Sequence, residues 1–306
     1  MHKAAVLMST YNGAKYLRKQ IESILDQREV DVKLFIRDDG SSDDTLSIIE
    51  EYQKNDERII LNKGSNVGVG NSFMQLVYDS GKEFDYYAFS DQDDVWMPVK
   101  LINAITKIGT EKAPVLYCSN QRLVDRDLRT MGMRYDTDPD LSYKQVMCQN
   151  KVTGCTMVWN TGLQLLLSDP QRRPTSDLLN QRIHDVWVAM VAAVVGRIIY
   201  DQDGFILYRQ HEANVVGVRK TNIISQWIKK VNDPRQRNGR SSICKEVCEK
   251  YGDLIGDKET AESLRTYAYY SSDRKSKKKL LKDRSIIQHT SESGLGFRVK
   301  VLLNLF

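Results

Sequence analysis

Residues 3–27, "KAAVLMSTYNGAKYLRKQIESILDQ", hold an unbroken apolar run, a polar loop with one glycine, and apolar positions at helical spacing. The run at Ala4–Met8 reads as a strand covered on both faces. Tyr16, Leu17, Ile21, Ile24 and Leu25 read as the inner stripe of a helix. Strand followed by amphipathic helix is half of a βαβ unit, and the chain repeats it. "VKLFIRDDG" (32–40) is a strand, "DDTLSIIEEYQK" (43–54) a helix, "RIILNKG" (58–64) a strand, "GNSFMQLVYDS" (70–80) a helix and "DYYAFSDQDD" (85–94) a strand. The alternation predicts an α/β fold with a mainly parallel central sheet flanked by helices.

Ligands of such sheets bind beyond the carboxyl ends of the strands. The polar clusters of this chain fall at those ends: Ser9–Asn12 after the first strand, Asp38–Asp44 after the second, Asp91–Asp94 after a later one. That coincidence places a binding site there.

The acidic run Asp91, Asp93 and Asp94 follows an apolar, aromatic stretch. Strand alternation predicts that Asp91 and Asp93 point the same way. Two convergent carboxylates with open positions suit Mg²⁺ or Mn²⁺ carrying substrate phosphate oxygens. A solvated acidic loop, a helix cap near Pro98 and a structural calcium loop are the other readings, and the last lacks the EF-hand spacing. In "RDDGSSDDT" (37–45), Ser41–Thr45 form a turn and cap, while Asp39 is either part of that turn or an acceptor for a base N–H. Asp185, in "IHDVWVAMV" (183–191), is a helix cap that also suits a proton acceptor, since the helix N-terminus keeps it ionised. His211, in "LYRQHEANVVG" (207–217), is either a hydrogen-bonded structural residue or a ligand. Tyr208, Arg209 and Gln210 beside it supply donors that suit a diphosphate.

Farther on, "APVLYCSNQRLVD" (113–125) and "KVTGCTMVWN" (151–160) read as strands, "HDVWVAMVAAVVG" (184–196) as a buried helix, and "RIIYDQDGFILYRQH" (197–211) as a hairpin turning at Asp203-Gly204. There is no Walker A loop, Rossmann glycine fingerprint, nucleophile elbow or zinc spacing, which excludes the best-marked nucleotide hydrolases, dehydrogenases and serine hydrolases. The five cysteines suit reduced thiols. No run of about 18 apolar residues marks a membrane span, and the N-terminus lacks a secretory leader pattern, so the chain is expected in the cytoplasm.

The net charge of +5 is uneven. Residues 221–306 hold 18 Lys and Arg against 10 Asp and Glu, and the rest of the chain holds 27 against 30. The boundary near residue 220 therefore divides an α/β domain (1–220) from a basic helical region (221–306). In the latter, "RKSKKKLLKDR" (274–284) precedes the apolar "SGLGFRVKVLLNLF" (293–306). This suits either attachment to an anionic membrane face or a packed terminal helix with a dimer contact. Nucleic acid is excluded as a partner for want of any known binding motif.

The ordered set "MSTYNGAKYLRKQIESILDQ", "IRDDGSSDDT", "NVGVGNSF", "FSDQDDVWMP", "TGCTMVWN", "HDVW" and "YRQHEANVVG" resembles the family 2 glycosyltransferases with the GT-A fold. "SDQDDVW" and "YRQHEANVVG" are similar to the rhamnosyltransferases of bacterial cell-wall, capsule and O-antigen polysaccharides. The resemblance implies transfer from a nucleotide sugar such as dTDP-β-L-rhamnose to a lipid-linked saccharide, by an enzyme peripheral on the inner face of the cell membrane. It implies a nucleotide pocket of Thr10, Tyr11, Asp39 and Asp91, and a Mg²⁺ or Mn²⁺ site of Asp91, Asp93 and His211. Asp185 would be the general base. Gly154, Cys155, Arg209 and Asp94 would lie on the acceptor and diphosphate side. The same chemistry with a UDP-hexose or UDP-N-acetylhexosamine, or a non-catalytic nucleotide- or glycan-binding module, are the alternatives.

Overall fold

Strand β1 (His2–Thr10) is the axis of the architecture. Its residues Ala4–Met8 are all fully buried, because helices cover both faces of a parallel strand. In the computed structural model, which describes residues 1–210 and 238–306, β1 pairs in parallel with β2 (Val30–Asp38) on one side and β4 (Tyr86–Ser90) on the other. Strand β3 (Ile59–Lys63) extends the parallel part beyond β2. The connecting helices α1 (Ala14–Leu25), α2 (Thr45–Asn55) and α3 (Val69–Asp79) match the sequence reading.

Beyond β4 the sheet turns mixed. β5 (Val95–Trp96), β6 (Val115–Val124), β7 (Thr130–Met133), β8 (Val158–Asn160) and β9 (Arg197–Arg209) complete the order β3-β2-β1-β4-β8-β6-β9-β5, with β7 on β6. β8 runs antiparallel to both β4 and β6, while β6 and β9 are parallel. Of "KVTGCTMVWN", only its last three residues are strand, since a single helical turn, Gly154–Thr156, comes first.

The hairpin expected at Asp203-Gly204 does not form. β9 is one strand of 13 residues, and both its halves pair in the same direction with β6. A two-residue turn of the favoured type needs positive φ at both centres, and neither Asp203 nor Gly204 adopts it. Instead the register with β6 jumps between Asp201 and Gly204, so the dipeptide sits in a bulge. Asp201 is held from inside by Tyr117 Oη (3.0 Å) and Asn103 Nδ2 (2.8 Å).

The chain divides into two compact units that interleave in sequence. Of the described residues, the first comprises 1–139, 152–169 and 196–210. The second comprises 140–151, 170–195 and 238–306, so two segments from within residues 1–220 cluster with the C-terminal region. The first unit holds the sheet and α4 (Lys100–Ile108). Its aromatic core includes Trp159 tilted against Phe89 at 4.6 Å between centroids. The second unit is helical: α5 (Tyr143–Gln149), α7 (Ser176–Gln181), α8 (His184–Val195), α9 (Gly239–Tyr251), α10 (Lys258–Tyr269), α11 (Arg274–Lys282), α12 (Arg284–Ile287) and α13 (Gly294–Leu302). Helix α6 (Thr161–Ser168) belongs to the first unit. Trp187 of α8 packs on Tyr251 of α9, and Arg172 clasps Asp253 with two bonds of 2.8 and 2.7 Å. All five cysteines are free.

Candidate active site

Strand order reverses at β1, so the loops leaving β1, β2 and β4 diverge around a crevice at their carboxyl ends. Each loop is fixed by hydrogen bonds to another. Thr10 is buried at the end of β1, opposite Asp38, and its Oγ1 donates to Asp38 Oδ1 at 3.1 Å. Asp38 spends its other oxygen on the turn, accepting from Gly40 N (3.1 Å) and Ser41 N (2.9 Å). Tyr11 is half-exposed at the crevice edge. Its N–H donates to Gln92 Oε1 (2.9 Å), and Gln92 Nε2 donates back to Tyr11 O (3.0 Å). This reciprocal pair locks the β1 loop to the acidic loop. A side chain on Gly13 would start 2.1 Å from Gln92 Oε1, so any larger residue in "YNGAKYL" would displace the Gln92 amide from this pair.

Asp39 is buried and takes three donors, one from β2 and two from the loop before α3. Its Oδ1 accepts from Arg37 Nη1 at 2.5 Å and Val67 N at 2.9 Å, and Oδ2 accepts from Gly68 N at 3.1 Å. Arg37, also buried, donates further to Gln75 Oε1, Ser72 Oγ and Ser65 O. The sequence reading missed Arg37, although residues two apart at a strand end share a face, which makes Arg37 and Asp39 natural partners. Asp39 is therefore more than a turn residue. Oδ2, with one donor, keeps acceptor capacity toward a ligand.

The alternation argument for Asp91 and Asp93 fails because β4 ends at Ser90 and residues 91–94 bend away from strand geometry. The ligand atoms that cluster, all within 4.8 Å of one another, belong to Asp91, Asp94 and Cys155. Asp91 and Asp93 are partly exposed, while Asp94 is fully buried. Asp94 Oδ1 accepts from Arg209 N at 3.0 Å, and Oδ2 has no hydrogen-bond partner among the described residues. Burial, then the charges of Asp93 and Asp91, push the Asp94 carboxyl well above the usual range. Arg209, buried, clamps backbone: its Nε donates to Asp93 O (2.8 Å) and Nη1 to Arg126 O (2.6 Å), with the guanidinium 4.4 Å from the Tyr16 ring centre. Asp94 and Arg209 thus brace the acidic loop from behind.

Gly154 and Cys155 lie in the helical turn before β8, both buried. Cys155 Sγ accepts from Gln121 Nε2 at 3.3 Å. Burial, followed by the charges of Asp94 and Asp91, raises its thiol far above normal, so it stays a neutral thiol rather than a thiolate ligand. Near this cluster lies a residue that nothing in the sequence singles out. Lys100 is buried, its Nζ is 3.8 Å from the Trp96 ring centre, and it has no hydrogen-bond partner among the described residues. Burial lowers its pKa to about 7, opposed by its electrostatic interactions with the neighbouring Cys155 and Asp94. The donor set fits a hard divalent cation: carboxylate oxygens converge, and one buried oxygen of Asp94 is unspent.

In the second unit, Asp185 lies in the first turn of α8, its Oδ1 accepting from Val186 N at 2.6 Å. His184 beside it is buried, and burial alone lowers its pKa from 6.5 to about 3. The unfolded chain then binds this proton at higher pH than the folded chain. Stability is complete above about pH 6.5 and falls as pH drops toward 3, by about 1.4 kcal/mol per unit from this group. Urea midpoints at pH 7 and 4.5 should show His184→Gln losing less stability than the parent; an unchanged pH slope would refute the assignment. His211 lies outside the described residues.

The glycosyl transferase family 2 model matches residues 5–160. Over 104 residues the chain is 44% identical to dTDP-rhamnosyl transferase RfbG of Shigella flexneri, covering 32% of this chain and 35% of that protein. It is 26% identical over 162 residues to the Escherichia coli UDP-Glc:alpha-D-GlcNAc-diphosphoundecaprenol beta-1,3-glucosyltransferase WfaP, covering 52% of this chain and 61% of that one. The chain thus spans between about a third and two thirds of these relatives' length. The structure of S. aureus TarS 1-349 in complex with UDP-GlcNAc superposes with a TM-score of 0.58 at 14% identity, over 99% of this chain and 82% of that one. The fold is GT-A, a mixed central sheet flanked by helices with further helices at the C-terminal end. With its family model matched across half its length, from β1 through β8, this chain belongs to glycosyl transferase family 2.

Proposed function

We propose that the chain is an inverting, metal-dependent glycosyltransferase that moves L-rhamnose from dTDP-β-L-rhamnose to a hydroxyl of a lipid-linked saccharide in bacterial surface polysaccharide synthesis. One observation carries the reading: the β1, β2 and β4 loops meet at the switch point, with buried Asp39 on one and the Asp91–Asp94 cluster on another. Asp39 Oδ2 accepts from the pyrimidine N3–H, and Thr10 and Tyr11 form the floor beneath the base. Asp91 with Asp93, or with Asp94 in its place through the unspent Oδ2, would hold Mg²⁺ or Mn²⁺, with His211 as a further candidate and Arg209 bracing the acidic loop from behind. Bound there, the ion offsets charge on the departing diphosphate. Gly154 and Cys155 line the acceptor side.

Asp185 takes the proton of the acceptor hydroxyl. The freed oxygen attacks the anomeric carbon in line, the bond to the diphosphate oxygen breaks, and the configuration inverts from β to α. The name of the Shigella relative supports the rhamnosyl donor, and that of the E. coli relative supports a diphosphoundecaprenol-linked acceptor.

A UDP-hexose or UDP-N-acetylhexosamine donor is the second reading, favoured by the UDP-Glc in the E. coli relative's name and the UDP-GlcNAc in the TarS complex. Release of nucleoside diphosphate from dTDP-rhamnose, UDP-glucose, UDP-galactose and UDP-N-acetylglucosamine, each with a membrane extract as acceptor, decides between them. The expected outcome is turnover of dTDP-rhamnose alone, abolished by EDTA and restored by Mg²⁺ or Mn²⁺. Turnover of a UDP-sugar instead keeps the chemistry and removes the rhamnosyl donor. Nucleotide binding with no turnover points to a binding module.

A further inference from the structure

Helix α13 (Gly294–Leu302) is apolar on two opposite faces. Phe297 and Val301 are fully buried. Leu295, Val299, Leu302 and the adjoining Leu303 are 75, 38, 58 and 62% exposed. At 100° per residue these four fall within an arc of about 100°, centred opposite the buried pair. An ordinary terminal helix with one packed face does not need this second stripe.

Beside it lies α11 (Arg274–Lys282), whose exposed residues are basic: Arg274, Lys275, Lys278, Lys279 and Lys282. Lys279 reaches Glu262 at 2.6 Å, and the other four form no ion pair among the described residues. Lys277 joins the two helices at the end of the stripe, its Nζ donating to Leu302 O (3.0 Å) and Asn304 Oδ1 (2.9 Å). Arg298, exposed, flanks the stripe on its own helix. Apolar side chains bordered by unpaired cations match the two layers of an anionic lipid surface, with acyl chains beneath phosphate headgroups. A second copy of the chain would bring the same cations together across the contact, so charge argues against self-association as the role of this patch.

We propose that the Leu295–Val299–Leu302–Leu303 stripe and the α11 lysines form a docking surface for an anionic lipid bilayer. The proposal deepens the reading of a lipid-linked acceptor by naming the surface that brings the chain to it. Its test measures binding alone, so it can fail while the transferase reading stands.

The test is flotation of the full chain with vesicles of phosphatidylcholine alone, or with roughly one third phosphatidylglycerol. The parent should partition to the anionic vesicles and release as salt rises. The double variant Leu295→Asp/Leu302→Asp and the triple variant Lys275→Glu/Lys278→Glu/Lys282→Glu should each lower partitioning by about tenfold or more. All the substituted residues are exposed, so circular dichroism should be unchanged. Failure of the parent to bind, or parent-like binding by a folded variant, overturns the proposal. So does light scattering that shows the leucine variant converting a dimer to a monomer with vesicle binding intact, since the stripe is then a contact between copies.

Discussion

Asp185→Asn is expected to lower turnover by about 10²- to 10⁴-fold, the usual contribution of a general base, while donor affinity stays within about twofold. The substitution is conservative for the fold. Asn keeps a side-chain oxygen in the first turn of α8 to accept from Val186 N, as Asp185 Oδ1 does at 2.6 Å. What it loses is basicity, the property that transfer requires. Measuring turnover and nucleotide affinity on the same preparation separates the two uses of the side chain. Full turnover in Asp185→Asn would leave Asp185 with a structural role only and require another base. Equal loss of affinity and turnover would assign it to donor binding.

The second large effect concerns Asp39. Asp39→Ala removes the one ion-pair partner of Arg37 among the described residues, leaving a buried guanidinium among the neutral acceptors Ser72 Oγ, Gln75 Oε1 and Ser65 O. Breaking one side of a buried pair costs about 3–5 kcal/mol. It also frees the loop anchored through Val67 N and Gly68 N. Chemical denaturation should show that loss, and Asp39→Asn, which keeps an acceptor oxygen, should show less. Nucleotide affinity should fall by about tenfold or more in Asp39→Asn, because one oxygen can no longer serve the loop and a base N–H together. Parent-like nucleotide binding in Asp39→Asn would make Asp39 structural alone. Parent-like stability in Asp39→Ala would remove the clasp.

The two residues illustrate how far local pattern reaches. Asp39 and Asp185 stand out in the sequence because each ends or opens an element whose period is readable over a few residues: "VKLFIR" before one and "VWVAMV" after the other. Arg37 lies within the same reach, since a charge inside a buried strand needs a partner and Asp39 stands two places on. Lys100 was beyond that reach. Nothing in "PVKLINAI" marks the lysine as buried; α4 turns that position inward over Trp96.

The sequence by itself determined the succession of strands and helices through β4, the burial of β1 on both faces, and the position of each polar cluster at a strand's carboxyl end. These follow from side-chain periods of two and 3.6, which depend on near neighbours alone. Only the tertiary structure decided that Asp94 rather than Asp93 joins Asp91 and Cys155, that the Asp203-Gly204 pair bulges within one long strand, and that the chain's two units interleave. Asp94 is set by Arg209, 115 residues away, and β9 by its pairing with β6. Contacts at that separation are chosen by how the whole sheet closes and by which backbone groups remain to be paired. A local hydrophobic pattern carries no record of either.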